Sequence, residues 1–204
     1  MVKKMENNIL ELFTKRHSFY DINNFIPNSQ NVVDIIKKSM QIYPSSFNSQ
    51  EARILLLLGG NHKKIWELTR NRLTQISPKE KHEDIRAKMS SFSDGFGTIL
   101  FFIDTEKVKS LEQKYSLYAN NFMNWAYQSN AMLQYIIWTA LANNQIGASL
   151  QHYNPLIDDD IKKVFYINDS WLLVAQMPFG GINSIPNAHN VTDLDNKLII
   201  LEQD

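Results

Sequence analysis

The sequence predicts a fold that mixes helices and strands around a shared core. Three observations predict it. Short apolar runs bounded by turn residues, at 53–58, 97–103 and 170–177, have the length of buried strands. Between them lie stretches with helical apolar spacing and recognisable caps. From 115 to 157 there is no Asp, Glu, Lys or Arg, and 122–142 reads as a helix apolar on nearly all sides. Such a helix must be covered on more than one face, by a core or a second chain.

In order, residues 6–15 form a short amphipathic helix with Ile9, Leu12 and Phe13 on one face. Arg16-His17-Ser18 follows at its end. Residues 21–27 read as loop. Ser29 or Asn31 caps a helix over 32–42, with Val32, Ile35, Ile36 and Met40 inward, and Pro44 stops it. Pro44-Ser45-Ser46-Phe47-Asn48-Ser49-Gln50 is a donor-rich loop, and 53–58 is a strand buried on both faces that Gly59-Gly60 closes. Asn61 caps a helix over 62–74. Ser77-Pro78 starts a mostly polar helix to about residue 93, with Pro at the first helical position. Its interleaved Lys, Arg, Glu and Asp read as a solvated face. After the 97–103 strand, Thr105 caps a helix through Lys114. Asn143-Asn144 ends the long helix. Gly147-Ala148-Ser149 keeps side chains small, which permits close approach to the backbone. Residues 158–164 form a brief helix, and Asp158-Asp159-Asp160 suits its N-terminal dipole. Residues 179–196 read as an irregular tail, and Leu198-Ile199-Ile200-Leu201 as a terminal strand that pairs with something distant, such as a second subunit.

Composition bounds the function. The chain has 204 residues, enough for one sizeable domain over 1–204. Twenty-one basic residues balance twenty-one acidic ones, which argues against binding nucleic acid by phosphate neutralisation. There is no Cys, so disulfides, thiolate metal sites and Cys nucleophiles are excluded. The first thirteen residues lack the apolar core of a secretory signal, which predicts a cytoplasmic protein. Asn124, Gln128, Ser129, Asn130 and Gln134 interrupt the long helix too often for a membrane span. No Rossmann, P-loop or Gly-x-Ser-x-Gly pattern is present. The five His are scattered, and His82-Glu83-Asp84 lacks the second His of a zinc-protease helix, so no metal site is predicted. His152 reads as structural in preference to an acid or base. What remains is binding. Arg16 carries a fork suited to phosphate, and Ser18 adds a hydroxyl. The Ser45 to Gln50 loop offers donors and acceptors suited to a flat heterocycle. Tyr118, Phe122 and Trp125 either wall an apolar pocket for an aromatic ligand or belong to the core.

Several runs, taken together and in order, resemble the nitroreductase family of FMN-dependent oxidoreductases. They are Arg16-His17-Ser18, Pro44-Ser45-Ser46-Phe47-Asn48-Ser49-Gln50, His62-Lys63-Lys64-Ile65-Trp66, Tyr118-Ala119-Asn120-Asn121-Phe122 with Trp125, and Trp138-Thr139-Ala140-Leu141. The most specific are Gly147-Ala148-Ser149-Leu150-Gln151-His152-Tyr153-Asn154-Pro155 and Ala175-Gln176-Met177-Pro178-Phe179-Gly180. The nearer match is the fatty-acid-repression, Frm2-like branch.

The resemblance implies an α+β fold with a central, mostly antiparallel sheet flanked by helices. It implies an intertwined homodimer with FMN at the interface, each site lined by both chains. Arg16, His17 and Ser18 then take the phosphate and ribityl side, and Pro44, Ser45, Ser46, Asn48 and Gln50 lie against the flavin. Gln145, Gly147, Ala148 and Ser149 approach its reactive edge. Tyr118, Phe122 and Trp125 form the acceptor pocket. Flavin N5 carries the chemistry, so no side chain is a catalytic nucleophile. NAD(P)H is the implied donor, and nitroaromatics or quinones are the acceptors, in a ping-pong cycle. The alternative on the same fold is a non-enzymatic regulator responsive to flavin or lipid. Two departures stand out. Gly181 occupies a position where relatives carry Lys, and residues 182–190 contain no Lys or Arg. One lost phosphate contact would weaken FMN by about 1.5–3 kcal/mol. His189 and Lys197 are the remaining basic candidates.

Overall fold

Five strands make one sheet in the computed structural model, which describes residues 9–186 and 197–202. They are β1 (Ile22–Asn23), β2 (Ala52–Leu58), β3 (Gly97–Asp104), β4 (Ile146–Ala148) and β5 (Trp171–Ile182). β3 lies between β2 and β5, and β5 also pairs with β1 and β4. Every ladder is antiparallel. The helices are α1 (Ser29–Ile42), α2 (Gly59–Ile76), α3 (His82–Ser93), α4 (Thr105–Lys114), α5 (Phe122–Asn143) and α6 (Asp158–Phe165). Residues 9–13 are helical as well. This is the α+β architecture, with an antiparallel sheet between helices, that the sequence implies.

β3 organises the core because all of it is buried. Its side chains alternate as a strand requires. Ile99 and Phe101 join Val32, Ile35 and Ile36 of α1 and Leu133, Ile137 and Leu141 of α5. Leu100 and Phe102 join Ile65 and Trp66 of α2, Met89 and Phe92 of α3, and Ile161 of α6. β5 carries one extra residue, Val174, where the register shifts between Phe101 and Phe102. Side-chain amides take carbonyls at this break. Asn130 Nδ2 donates to Phe102 O at 3.0 Å, and Asn154 Nδ2 donates to Leu173 O at 2.7 Å.

That need places polar side chains on the buried face of the long helix, among Leu133, Ile137 and Leu141. α5 buries Ser129, Asn130 and Gln134, and Gln134 Nε2 donates to Asn130 Oδ1 at 2.7 Å. Its Tyr127, Met132 and Tyr135 are exposed, and the Phe13 ring lies 5.6 Å from Tyr135.

Several local expectations are corrected. β2 is not enclosed on both faces. It is an outer strand of the sheet, with only Ala52 and Leu57 fully buried. Gly59 and Gly60 do not end it in a turn but begin α2, with Gly59 at φ +55°, and Asn61 lies inside the helix. Asn28 caps α1 by accepting from Gln30 N, and Asp104 caps α4 by accepting from Glu106 N. β5 continues to Ile182, through the stretch read as the start of an irregular tail. Within the single chain described, residues 198–201 pair with no strand and are exposed, so the pairing expected of them, with something distant such as a second subunit, is not one made inside this chain. Residues 6–8 of the first helix, and His189, lie outside the described residues. Ile9 and Phe13, the described residues of its apolar face, are exposed, and Leu12 between them is half-buried.

The first face of α2 explains one sequence run. His62 and Trp66 both reach Thr98 of β3. Trp66 Nε1 donates to Thr98 Oγ1 at 2.9 Å, and His62 Nδ1 lies 2.8 Å from the same oxygen. The indole only donates, so the Thr98 proton is free to go to Nδ1. His62 Nε2 is buried without a hydrogen-bond partner. Burial pushes the His62 pKa down to about 4. Between about pH 6.5 and 4 the unfolded chain therefore binds a proton that the folded chain refuses. Stability is unaffected above about 6.5 and falls with pH below it, by up to about 1.4 kcal/mol per unit. Urea unfolding of wild type and His62→Gln between pH 7.5 and 4.5 tests this. The variant should lose less stability across that range, and equal slopes would exclude His62 as the source.

Candidate functional site

The 44–50 loop is fixed from within and from below. Tyr43 ends α1 with its N–H on Ser39 O at 3.0 Å, and Pro44 breaks the helix. Residues 46–48 then make one tight turn. Ser45 Oγ accepts from Gln50 N at 3.1 Å, and Gln50 Nε2 donates to Asn48 Oδ1 at 3.1 Å. Arg53 donates to Gln50 O at 2.9 Å and pairs with Asp104 Oδ2 at 2.8 Å, which ties the loop to the end of β3. Ser49 Oγ donates to Glu51 Oε2, and Glu51 is buried.

Phe47, Asn48 and Gln50 all have left-handed φ, at 55°, 54° and 51°. Asn tolerates this region through its short amide, whereas Phe and Gln hold it at a cost. Among the described residues five non-glycines have positive φ, and the fourth is Gln145, at the turn between α5 and β4. Strain thus concentrates in the two segments that the sequence assigns to a ligand.

Phe47 shows what holds its backbone there. Its ring meets Tyr115 at 4.7 Å, Phe122 at 5.6 Å, and Tyr118 and Trp125 at 6.2 Å. Phe122 is buried with Ile103, Val108 and Ala126, so it is core and not pocket wall. Tyr118 is exposed and Trp125 half-buried. Trp125 lines a cleft of about 230 Å³ with Pro44, Ser45, Ser46, Gln128, Ser129 and Met132. An adjoining apolar hollow of about 480 Å³ shares Pro44 and Met132 and adds Ala131, Tyr135 and Ile136.

A second group forms around β4. Phe19 N and Trp138 Nε1 both donate to Ala148 O at 3.0 Å, and Ser18 bridges Ala148. The Arg16 guanidinium lies 4.4 Å above the Trp138 ring. One carbonyl thereby anchors residues 16–19 and Trp138 to β4. Arg16 is half-buried and makes no ion pair among the described residues. Its chain neighbours Lys15 and His17 line a cleft of about 490 Å³ with Phe19, Gln145, Ile182 and Ile185.

The small residues of β4 make room for protein. A Cβ on Gly147 would meet Ile182, Phe19 and Ile22 within 3.2 Å. Ala148 and Ser149 are enclosed, and the Ser149 hydroxyl accepts from Gln151 Nε2 at 3.1 Å. The run that follows is a structural corner. Gln151 and Gln176 exchange backbone bonds, Tyr153 N donates to Gln176 Oε1 at 2.8 Å, and Gln176 Nε2 donates to Asn154 Oδ1 at 3.0 Å. Gly181 is likewise forced. A Cβ there would lie 2.5 Å from both Asn23 Oδ1 and Phe25 O.

The candidate residues therefore fall into two groups. Arg16, His17, Ser18, Gln145, Gly147, Ala148 and Ser149 form one, and Pro44, Ser45, Ser46, Asn48, Gln50 and Trp125 the other. No described cleft contains members of both. Residue-by-residue reasoning missed Lys15 and the stacking role of Trp138. The signal for Lys15 was its adjacency to Arg16. Nothing in sequence placed Trp138, 122 positions on, beneath the guanidinium.

Fold and clefts define an α+β protein with a cation held in place on an indole and a strained polar loop. The chain belongs to the nitroreductase family, whose model matches residues 16–181. Membership supports an oxidoreductase of the nitroreductase type. The chain is 26% identical over 183 residues to the nitroreductase FRM2 of Saccharomyces cerevisiae, which spans 88% of this chain and 90% of that protein. It is similar in structure to the nitroreductase CinD from Lactococcus lactis in complex with nicotinic acid, with TM-score 0.88, 35% identity, and coverage of 95% of this chain and 100% of that one. A nitroreductase with bound FMN from Desulfitobacterium hafniense shares the fold at TM-score 0.71 and 17% identity, over 95% and 97% of the two chains.

Proposed function

We propose that the chain, as one domain over 1–204, is an FMN-dependent oxidoreductase that works as a homodimer. It takes electrons from NAD(P)H and reduces nitroaromatic or quinone acceptors. Arg16 carries the reading. A half-buried guanidinium stacked on an indole, with no carboxylate partner among the described residues, is a fixed positive charge shaped for an anion. In this reading Arg16, His17 and Ser18 take the flavin phosphate. Gln145 offers its side chain to the same cleft, and enclosed Gly147, Ala148 and Ser149 set the backbone behind it.

Pro44, Ser45, Ser46, Asn48 and Gln50 suit the flavin ring, yet they lie in the other group on one chain. Two copies resolve this, each site joining the β4 group of one chain to the 44–50 loop of its partner. The exposed Tyr127, Met132 and Tyr135 of α5, and the hollow beside Pro44, supply apolar surface for such an isologous contact. Tyr118 and Trp125 then offer aromatic faces to an acceptor, with Phe122 supporting them from the core. Bound FMN would supply the redox chemistry, accepting a hydride from NAD(P)H and passing reducing equivalents to the acceptor in a ping-pong cycle. The protein supplies position and electrostatics, and no covalent nucleophile is required. No helix among the described residues is long and apolar enough to cross a membrane, and they contain no cluster suited to a metal. The reading places the enzyme in the cytoplasm, with no nucleic-acid partner.

NADH oxidation by FMN-loaded protein, with and without a nitroaromatic, tests the proposal alongside light scattering. A dimer with acceptor-dependent turnover is expected. Bound flavin without such turnover would favour a flavin-responsive regulator, and protein that takes up no FMN would reject the reading.

A further inference from the structure

Resting on the flavin reading above, we infer that Lys15 is the second phosphate cation of this chain. It takes the part that position 181 cannot play. Gly181 is the residue with which β1 and β4 both pair, at Asn23 and Ile146. A side chain there would collide with Asn23 Oδ1 and with the Phe25 carbonyl. A Lys at 181 therefore requires the segment 23–25 to move, so the missing charge cannot simply be restored in place.

The cleft lined by His17, the residue after Arg16, contains a different cation. Lys15 lines it with His17 and Gln145, over an apolar floor of Phe19 and Ile182. Lys15 is exposed and pairs with no carboxylate among the described residues. Its only described side-chain hydrogen bond is a long one, from Nζ to Asn143 Oδ1 at 3.4 Å. That contact leaves two ammonium protons unused. Arg16 is held on Trp138, and Lys15 swings on a flexible stem at the cleft mouth. A rigid fork and a mobile point charge together suit a phosphate monoester, whose second charge a single cation leaves unmatched.

The competing role for Lys15 is at the end of α5, where a cation favours the carbonyl-rich terminus. Phosphate selectivity separates the two. FMN and riboflavin differ only in the phosphate, so both are titrated by flavin fluorescence against wild type, Lys15→Gln and Lys15→Arg. Melting temperature is recorded for each. Lys15→Gln is expected to weaken FMN by about tenfold, to leave riboflavin within about twofold, and to flatten the salt dependence of FMN binding. Lys15→Arg should keep most of the FMN affinity. Equal losses for both flavins, a change in melting temperature alone, or no change in FMN affinity would overturn the assignment. Wild-type protein that binds neither flavin would overturn the flavin reading, and the assignment with it.

Discussion

Trp66→Ala is expected to lower the unfolding free energy by about 3–5 kcal/mol, the range for removing a buried large aromatic. The side chain is 1% exposed and sits where β3, α2 and α3 meet. Its ring lies 4.7 Å from Phe92 and 6.1 Å from Tyr153. Alanine would leave a cavity bounded by two other aromatics and by β3, and β3 cannot move inward without breaking its pairing with β2 and β5. Trp66→Phe should cost less, because packing is largely kept and Thr98 still has His62 as a partner. The alanine variant should also admit water to His62. The His62 pKa would then rise toward its ordinary value, and the loss of stability below about pH 6.5 would shrink. Urea midpoints at neutral and mildly acid pH measure both effects. A loss under about 1 kcal/mol for Trp66→Ala would contradict this packing.

Arg16→Met is expected to weaken FMN by about 100-fold, while riboflavin changes by less than about threefold. A charge-assisted bidentate contact contributes about 1.5–3 kcal/mol, and 2.7 lies near the top of that range. The upper end suits Arg16 because its guanidinium is oriented before any ligand arrives. Trp138 does that, held by its indole N–H on Ala148 O. Trp138→Leu should therefore cost FMN about fivefold with Arg16 intact, near the 1 kcal/mol scale of a cation–π contact. Arg16→Lys should recover only part of the loss, since an ammonium neither stacks as a plane nor forms a fork. Flavin fluorescence titration reads all three. Parallel losses of FMN and riboflavin on Arg16→Met would remove Arg16 from the phosphate site.

Much of the architecture was legible in the sequence because it rests on local pattern. The run at 97–103 is apolar without interruption, and β3 is buried along its whole length. Pro44 ends α1 where its ring must. The three acids at 158–160 stand in the first turn of α6, where the helix dipole favours them. Asp160 also takes Arg72 of α2, whose hydrogen bond holds that carboxyl below the usual range.

Other features depend on partners that pattern cannot show. The polar residues of α5 resemble interruptions of an apolar helix. Ser129, Asn130 and Gln134 are in fact buried among its apolar residues, with Asn130 donating to the Phe102 carbonyl where the β3–β5 register shifts, while Asn124 and Gln128 are exposed. Phe122 belongs to the same aromatic series as Tyr118 and Trp125, and only packing separates a core ring from an exposed and a half-buried one. Gly147 and Gly181 look alike as permissive glycines, yet both are required because neighbouring chain fills the space a Cβ would need.

By itself the sequence determined the main helices, the strands β2, β3 and β5, the absence of thiol chemistry and the family, since composition, periodicity and motif order are properties of the chain alone; β1 and β4 appear only through their pairing with β5. Tertiary structure decided which of those motifs hold the protein together and which face a cleft. It seated Arg16 on Trp138, enclosed Ser149, and put the 44–50 loop in a different group from Arg16. The physical reason is that a side chain's availability depends on what buries or bonds it. Residues far apart in the chain decide that.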